Sequence, residues 1–129
     1  MAILKFNCAL ALLFVATSAC TAAPPAPGAI HIDNALDKCQ QITAQSIDLA
    51  PIPTLRLDFK SLASTAECGC KSMLNGYSVA IKLDGFTRRV LSGTFKFPKQ
   101  SPITLPLASQ AELIKGQNLE IAIGCEAPL

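Results

Sequence analysis

Four cysteines supply the chemistry that this sequence can offer. Cys68 and Cys70 stand one residue apart in Glu67-Cys68-Gly69-Cys70-Lys71-Ser72, near the middle of the chain. Cys39 and Cys125 lie towards its two ends. In an extended strand Cys68 and Cys70 share a face, because side chains alternate with period two, and their Cα atoms are roughly 6.6 Å apart. That is near the outer limit for a disulfide, and the side chains run parallel instead of towards each other. Each central cysteine is therefore expected to bridge to a different strand. The permitted pairings are Cys39–Cys68 with Cys70–Cys125, which is preferred, and Cys39–Cys70 with Cys68–Cys125.

Two sharper chemistries compete with staples. Cys68 and Cys70 as a pair of free thiols would exchange disulfides if one had a lowered pKa, which needs a helix N-terminus or nearby cations. Lys71 is the one neighbouring cation, and Glu67 opposes it. Structural zinc favours paired ligands two to four residues apart. One close pair with two distant cysteines is a poor match, and His31, the single histidine, reads as an exposed strand residue. No metal or cofactor is expected.

Hydrolytic chemistry has no foothold. The chain contains no Gly-x-Ser-x-Gly, His-Glu-x-x-His or Gly-rich phosphate loop. Asp58, Asp84 and Glu120 fall on solvent faces or in turns, where acidic residues ordinarily lie. The expectation is a protein that is not an enzyme.

The chain has 129 residues, enough for one domain. Charged residues make up 16%, with 11 basic and 9 acidic side chains. Balance this close leaves no electrostatic footprint for nucleic acid or an anionic membrane. Arg88-Arg89, the adjacent basic pair, reads as a solvated strand face.

Residues 1–20 read as an export signal. Lys5 gives a weak positive start, Cys8 to Ala16 a short apolar core, and Thr17, Ser18 and Ala19 the small residues that follow. The apolar run is shorter than the about 20 residues that span a bilayer. Ala19 suits ordinary signal peptidase. Ser18-Ala19-Cys20 also resembles a bacterial lipobox, in which Cys20 would become the lipidated N-terminus; Thr17 departs from the usual Leu there. Residues 21–29, with Pro24, Pro25 and Pro27, form an Ala/Pro-rich spacer.

Residues 30–129 must position the cysteines, and their pattern is β. Ile30 and Ile32 open a strand, and Asn34 to Lys38 form a turn. Cys39 to Leu49 form a strand whose broken alternation calls for a bulge, with Gln40, Gln41 and Gln45 at exposed or edge positions. Leu55, Leu57 and Phe59 alternate with Arg56, Asp58 and Lys60, the signature of a strand with one wet face. Tyr77, Val79, Ile81 and Leu83 alternate likewise, and Asp84-Gly85 is a hairpin signal. Asn75-Gly76 is either a second tight turn or, preferably, a bulge within one long strand from Cys68 to Leu83.

Phe86 to Phe97 follows, with Gly93 marking a bulge or close packing. Pro102 and Pro106 flank a short edge strand. Ser109 and Glu112 fit a capping box for a helix that Gly116 ends. Leu119-Ile121-Ile123-Cys125 points its cysteine inward. Seven or eight strands in about 100 residues indicate an all-β fold: a small antiparallel β-sandwich, immunoglobulin-like and disulfide-stapled, with a small β-barrel as the alternative.

The Cys68-Gly69-Cys70-Lys71-Ser72 centre, the approach from Asp33 to Cys39 and the terminal Ile123-Gly124-Cys125-Glu126 resemble a bacterial family of short exported proteins, domain of unknown function 2195. The resemblance runs from about Ile30 to the end. It implies an exported domain with paired cysteines and no particular activity.

The functional expectation is a non-catalytic binding or structural module of the cell envelope. It would be periplasmic, or attached to the outer membrane by lipid at Cys20, or secreted. Its partner would be an envelope protein, met at the edge from Pro102 to Leu107 or at the loops beside Cys68. The alternatives are a thiol–disulfide exchange protein using Cys68 and Cys70, and a secreted inhibitor of another enzyme.

Overall fold

The computed structural model describes residues 26–127. The export signal, Cys20 and most of the spacer lie outside the described residues. Seven strands form two sheets: β1 Ile30–Asn34, β2 Gln40–Asp48, β3 Thr54–Ser61, β4 Asn75–Leu83, β5 Phe86–Phe95, β6 Ile103–Pro106 and β7 Leu119–Cys125. The order is β1-β7-β4-β5 in the first sheet and β2-β3-β6 in the second. Neither sheet closes on itself, so the fold is an all-β sandwich and not a barrel. The ladders are antiparallel except for β1 on β7, which is parallel.

A four-plus-three split is that of a constant-type immunoglobulin domain, but the membership differs. Lettered A to G along the chain, these sheets are A-G-D-E and B-C-F, where the immunoglobulin sheets are ABED and CFG. The likeness is one of architecture.

Alternation builds the core. Leu55 and Leu57 of β3, Tyr77, Val79 and Ile81 of β4, Ile103 and Leu105 of β6, and Leu119, Ile121 and Ile123 of β7 are buried in one cluster. Each comes from every second residue of its strand, so one face of each sheet is apolar and the two faces close on each other. The bulge in β2 falls between Ala44 and Ser46, which returns Ile42 and Ile47 to the same side. The bulge in β5 falls at Val90, opposite the Val79/Ala80 step. Gly93 marks close packing instead: a Cβ there would lie 2.8 Å from Tyr77 Cε1.

Three sequence expectations give way. Cys68 to Leu74 is not strand. Thr65–Cys68 is a 3-10 turn ended by Gly69 at φ +88°, and β4 begins at Asn75. Asn75-Gly76 is thus neither turn nor bulge; both residues pair with β5 and β7. The capping box does not form either. The turn after β6 is 3-10 over Ala111–Leu113, its N-cap is Gln110, and no side chain caps it. Three residues are too few for a capped α-helix.

The last spacer residues join the domain. Gly28 N–H donates to Gln117 O at 2.8 Å, Gly116 N–H to Ala26 O at 3.1 Å, and Ala29 N–H to Asn118 Oδ1 at 3.0 Å. Among the described residues no helix is long and apolar enough to cross a membrane.

Four connections cross between the sheets: residues 35–39, 62–74, 96–102 and 107–118. The first three lie at one end of the sandwich, where β1, β3, β5 and β7 finish and β2, β4 and β6 begin.

Candidate functional site

All four cysteines converge at that end. Cys39, in the β1–β2 crossing, is bridged to Cys68 with Cα atoms 6.1 Å apart. Cys70 is bridged to Cys125 at the end of β7, with Cα atoms 5.1 Å apart. The premise of an extended Cys68-Gly69-Cys70 was wrong, and the reason the two side chains part is different. The left-handed turn at Gly69 reverses the chain between them. Cys68 is half-buried and Cys70 is buried, while Cys125 is exposed. Cys125 keeps the inward phase of Leu119, Ile121 and Ile123 and is bonded to buried Cys70, but as the last residue of β7 it is itself exposed.

The bridges fix the crossing at 62–74 to both of its neighbours. Backbone contacts finish the job: Leu62 and Ala63 N–H both donate to Cys39 O, at 2.7 and 3.2 Å, and Glu126 N–H donates to Leu74 O at 3.3 Å. Ser72 Oγ accepts from Leu74 N–H at 3.0 Å, turning the chain into β4.

Beside this pinned crossing, at the seam between the sheets, is a cleft of about 320 Å³. Gln40 and Asn75 form part of its lining, each the first residue of its strand. Gln40 is 3% exposed and Asn75 1%. Gln40 Nε2 donates to Ser61 Oγ at 3.0 Å and Ala63 O at 3.1 Å. Gln40 Oε1 and Asn75 Oδ1 are buried and, among the described residues, accept from no donor. An unpaired buried acceptor costs roughly 1–3 kcal/mol, so two around one cleft demand an explanation.

The rest of the lining has two characters. Phe59, Phe97 and Pro98 make an apolar wall, in which the Phe59 and Phe97 ring centroids are 5.1 Å apart. Phe95 and Tyr77 continue that aromatic row into the first sheet, with centroids 5.0 and 6.1 Å apart in turn. Lys96 and Lys99 bring positive charge, and among the described residues no acidic one lines the cleft. Met73 also lines it and is 73% exposed; Leu62, on the same crossing, is 49% exposed.

Other residues of interest lie elsewhere. His31 is exposed on β1, opposite Glu120 of β7. Glu120 pairs with Lys82 at 2.8 Å, and that hydrogen bond, with the lysine's charge, holds its carboxyl below the usual carboxylate range. Asp58 is structural: it accepts from Gln45 Nε2 at 2.6 Å and Ser101 Oγ at 3.0 Å, tying the β2 bulge to the 96–102 crossing. Asp84 sits in the exposed β4–β5 turn, and Arg88 and Arg89 are exposed on β5. Among the described residues no group of three or more His, Cys, Asp or Glu is placed to hold a metal ion.

Sequence reasoning missed the cleft. It placed Gln40 at an exposed or edge position, but the side chain is buried because Ser61 and Ala63 receive it from across the sheet. Asn75, which the sequence places at a turn or bulge, opens β4 instead. The available signal was adjacency: Gln40 follows a bridged cysteine, and Asn75 ends the segment that holds two more.

The motifs that carry the family resemblance are the ones the bridges gather. The approach to Cys39, the Cys68–Ser72 centre and the Ile123–Glu126 terminus meet at one end of the sandwich, although they are far apart in the chain. No curated protein and no solved structure matches the chain. The family described as an uncharacterized protein conserved in bacteria, domain of unknown function 2195, matches over residues 14–128, and the chain belongs to it.

Proposed function

We propose that this protein is an exported, non-catalytic binding module of the bacterial cell envelope, tethered by lipid at Cys20, and that it holds its partner in the cleft beside Cys68. The observation that carries the reading is that two residues lining one cleft, Gln40 and Asn75, each keep a buried carbonyl oxygen, Oε1 and Oδ1, with no partner among the described residues. A stabilised fold keeps such acceptors where a ligand's donors repay their desolvation. Two disulfides are compatible with a periplasmic or extracellular compartment, since they persist in oxidising surroundings. They also hold the cleft's longest crossing in one conformation, which lowers the entropy lost on binding.

Photo-crosslinking in the native envelope tests this. A benzophenone side chain at Met73 should capture a discrete partner, and one at Ser46, exposed on β2, should not. Capture from Thr104 on the β6 edge and not from Met73 would move the interface away from the cleft. Thiol–disulfide exchange at Cys68 and Cys70 makes the opposite demand, a readily reduced bridge. A thiol count of zero on the native domain, with no reductase activity, speaks for binding.

A further inference from the structure

We infer that the cleft between β2 and β4 takes the carboxy-terminal end of a polypeptide, with an apolar last residue. The inference rests on the binding reading above and names the chemistry of its ligand.

Three demands of the lining meet in one object. Lys96 and Lys99 both line the cleft, and among the described residues neither is in an ion pair. With no acid in the lining, they call for an anion. Gln40 Oε1 and Asn75 Oδ1 accept only, so they call for N–H or O–H donors close to that anion. Phe59, Phe97, Pro98 and Met73 call for an apolar group beside both. A peptide terminus carries a carboxylate, an amide N–H on the same residue and a side chain on the carbon between them. The volume of about 320 Å³ is near the lower end for ligand pockets, enough for one or two residues and not for a folded element.

Competing ligands satisfy fewer demands. A lipid headgroup phosphodiester supplies the anion but its phosphate oxygens only accept, and inorganic phosphate, which keeps an O–H donor, brings nothing for the apolar wall. A neutral saccharide supplies donors but nothing for the lysines. A uronic acid saccharide supplies both and lacks the apolar group.

The test uses the oxidised, full mature protein and a synthetic hexapeptide pool, fluorescently labelled at the amino end and randomised at the last two positions. Fluorescence polarisation should show binding by members with a free carboxylate and an apolar last residue. Amidation of that carboxylate should weaken binding at least about tenfold, the loss of one charge-assisted contact. Lys96→Met with Lys99→Met should abolish the difference between free and amidated peptides. Both lysines are exposed, so the fold should survive, as a thermal melt will verify. Asn75→Leu should weaken both peptides alike.

Equal binding of free and amidated peptides would overturn the inference, as would no binding by either, or competition by oligogalacturonate alone. If Met73 still captures an envelope partner under any of these outcomes, the binding reading stands and only the ligand class falls. If Met73 captures nothing as well, both fall.

Discussion

Gln40 and Asn75 stand in different sheets yet line the same cleft, each with a buried side-chain oxygen that no group among the described residues bonds. Their positions follow from the disulfides. Gln40 comes directly after Cys39, and Asn75 comes five residues after Cys70 and pairs with Cys125 in the β4–β7 ladder. The bridges that close the end of the sandwich therefore bring both residues to the same cleft.

The two bridges should differ in what they contribute. Cys39–Cys68 spans 29 residues and Cys70–Cys125 spans 55. In the chain-entropy model those loops are worth roughly 3.6 and 4.2 kcal/mol. Against a total of about 5–15 kcal/mol, loss of either is severe. Cys70→Ser with Cys125→Ser should lower stability somewhat more than Cys39→Ser with Cys68→Ser, read as urea midpoints at constant m-value. The reverse order would mean that native contacts of the 62–74 crossing, and not chain entropy, dominate.

Charge placed in the core should act in proportion to burial. Ile121 is 1% exposed, in the middle of the first sheet. Ile121→Asp strands a carboxylate among aliphatic side chains, a penalty of several kcal/mol that should prevent folding. Phe59 shares the inward phase but is only half-buried, with a face on the cleft. Phe59→Asp should be destabilising and still fold at low temperature, while Lys60→Asp, exposed on the other face, should be near neutral. Circular dichroism melts of the three variants give the order directly. Equal tolerance would show that the faces are wrongly assigned.

That order also shows what the sequence made legible. Leu55, Leu57 and Phe59, and Tyr77, Val79 and Ile81, announce their faces because burial on one side of a sheet imposes period two on the residues themselves. Asp84-Gly85 is readable for the same local reason, since Gly85 takes φ +84°. The Cys68–Leu74 segment misleads because its apparent phase rests on two cysteines and a leucine, and a single left-handed glycine cancels it. Gln40 is legible only through its place after Cys39. Its burial depends on Ser61 and Ala63, more than 20 residues away, and no local pattern encodes that contact.

The Glu120 carboxylate offers a probe of the first sheet's outer face. Lys82, on the neighbouring strand, lowers its pKa by hydrogen bond and charge, and His31 adds a smaller pull in the same direction. A carboxyl with a lowered folded-state pKa adds stability above its unfolded value, and loses it as pH falls through the folded value. The effect is therefore present at neutral pH and disappears only in acid, below the ordinary carboxylate range. Lys82→Met should raise the Glu120 pKa in an NMR titration and flatten the acid limb of the stability profile. Because the pair is exposed, the melting temperature at pH 7 should hardly move.

Two glycines, Gly69 and Gly93, are constrained in different ways. Gly69 has φ +88°, and a Cβ built on it meets nothing within 4 Å. Its constraint is purely conformational, the cost of a left-handed L-residue, about 1–2 kcal/mol. Gly93 sits within β5 without a left-handed φ, but its added Cβ would stand 2.8 Å from Tyr77 Cε1. Its constraint is steric, typically about 1–3 kcal/mol for an overpacked site. Gly69→Ala and Gly93→Ala should thus both destabilise, and a second substitution tells them apart. Tyr77→Leu removes the ring that crowds residue 93 and should shrink the penalty of Gly93→Ala in a double-mutant cycle. The same change should leave the penalty of Gly69→Ala untouched, because nothing near Gly69 is relieved. Gly69→Asn should recover part of the loss at that position, since asparagine tolerates the left-handed region, whereas Gly93→Asn should be worse than alanine. Coupling of Tyr77 to Gly69, or none to Gly93, would show that the ring does not set the close approach of β4 and β5.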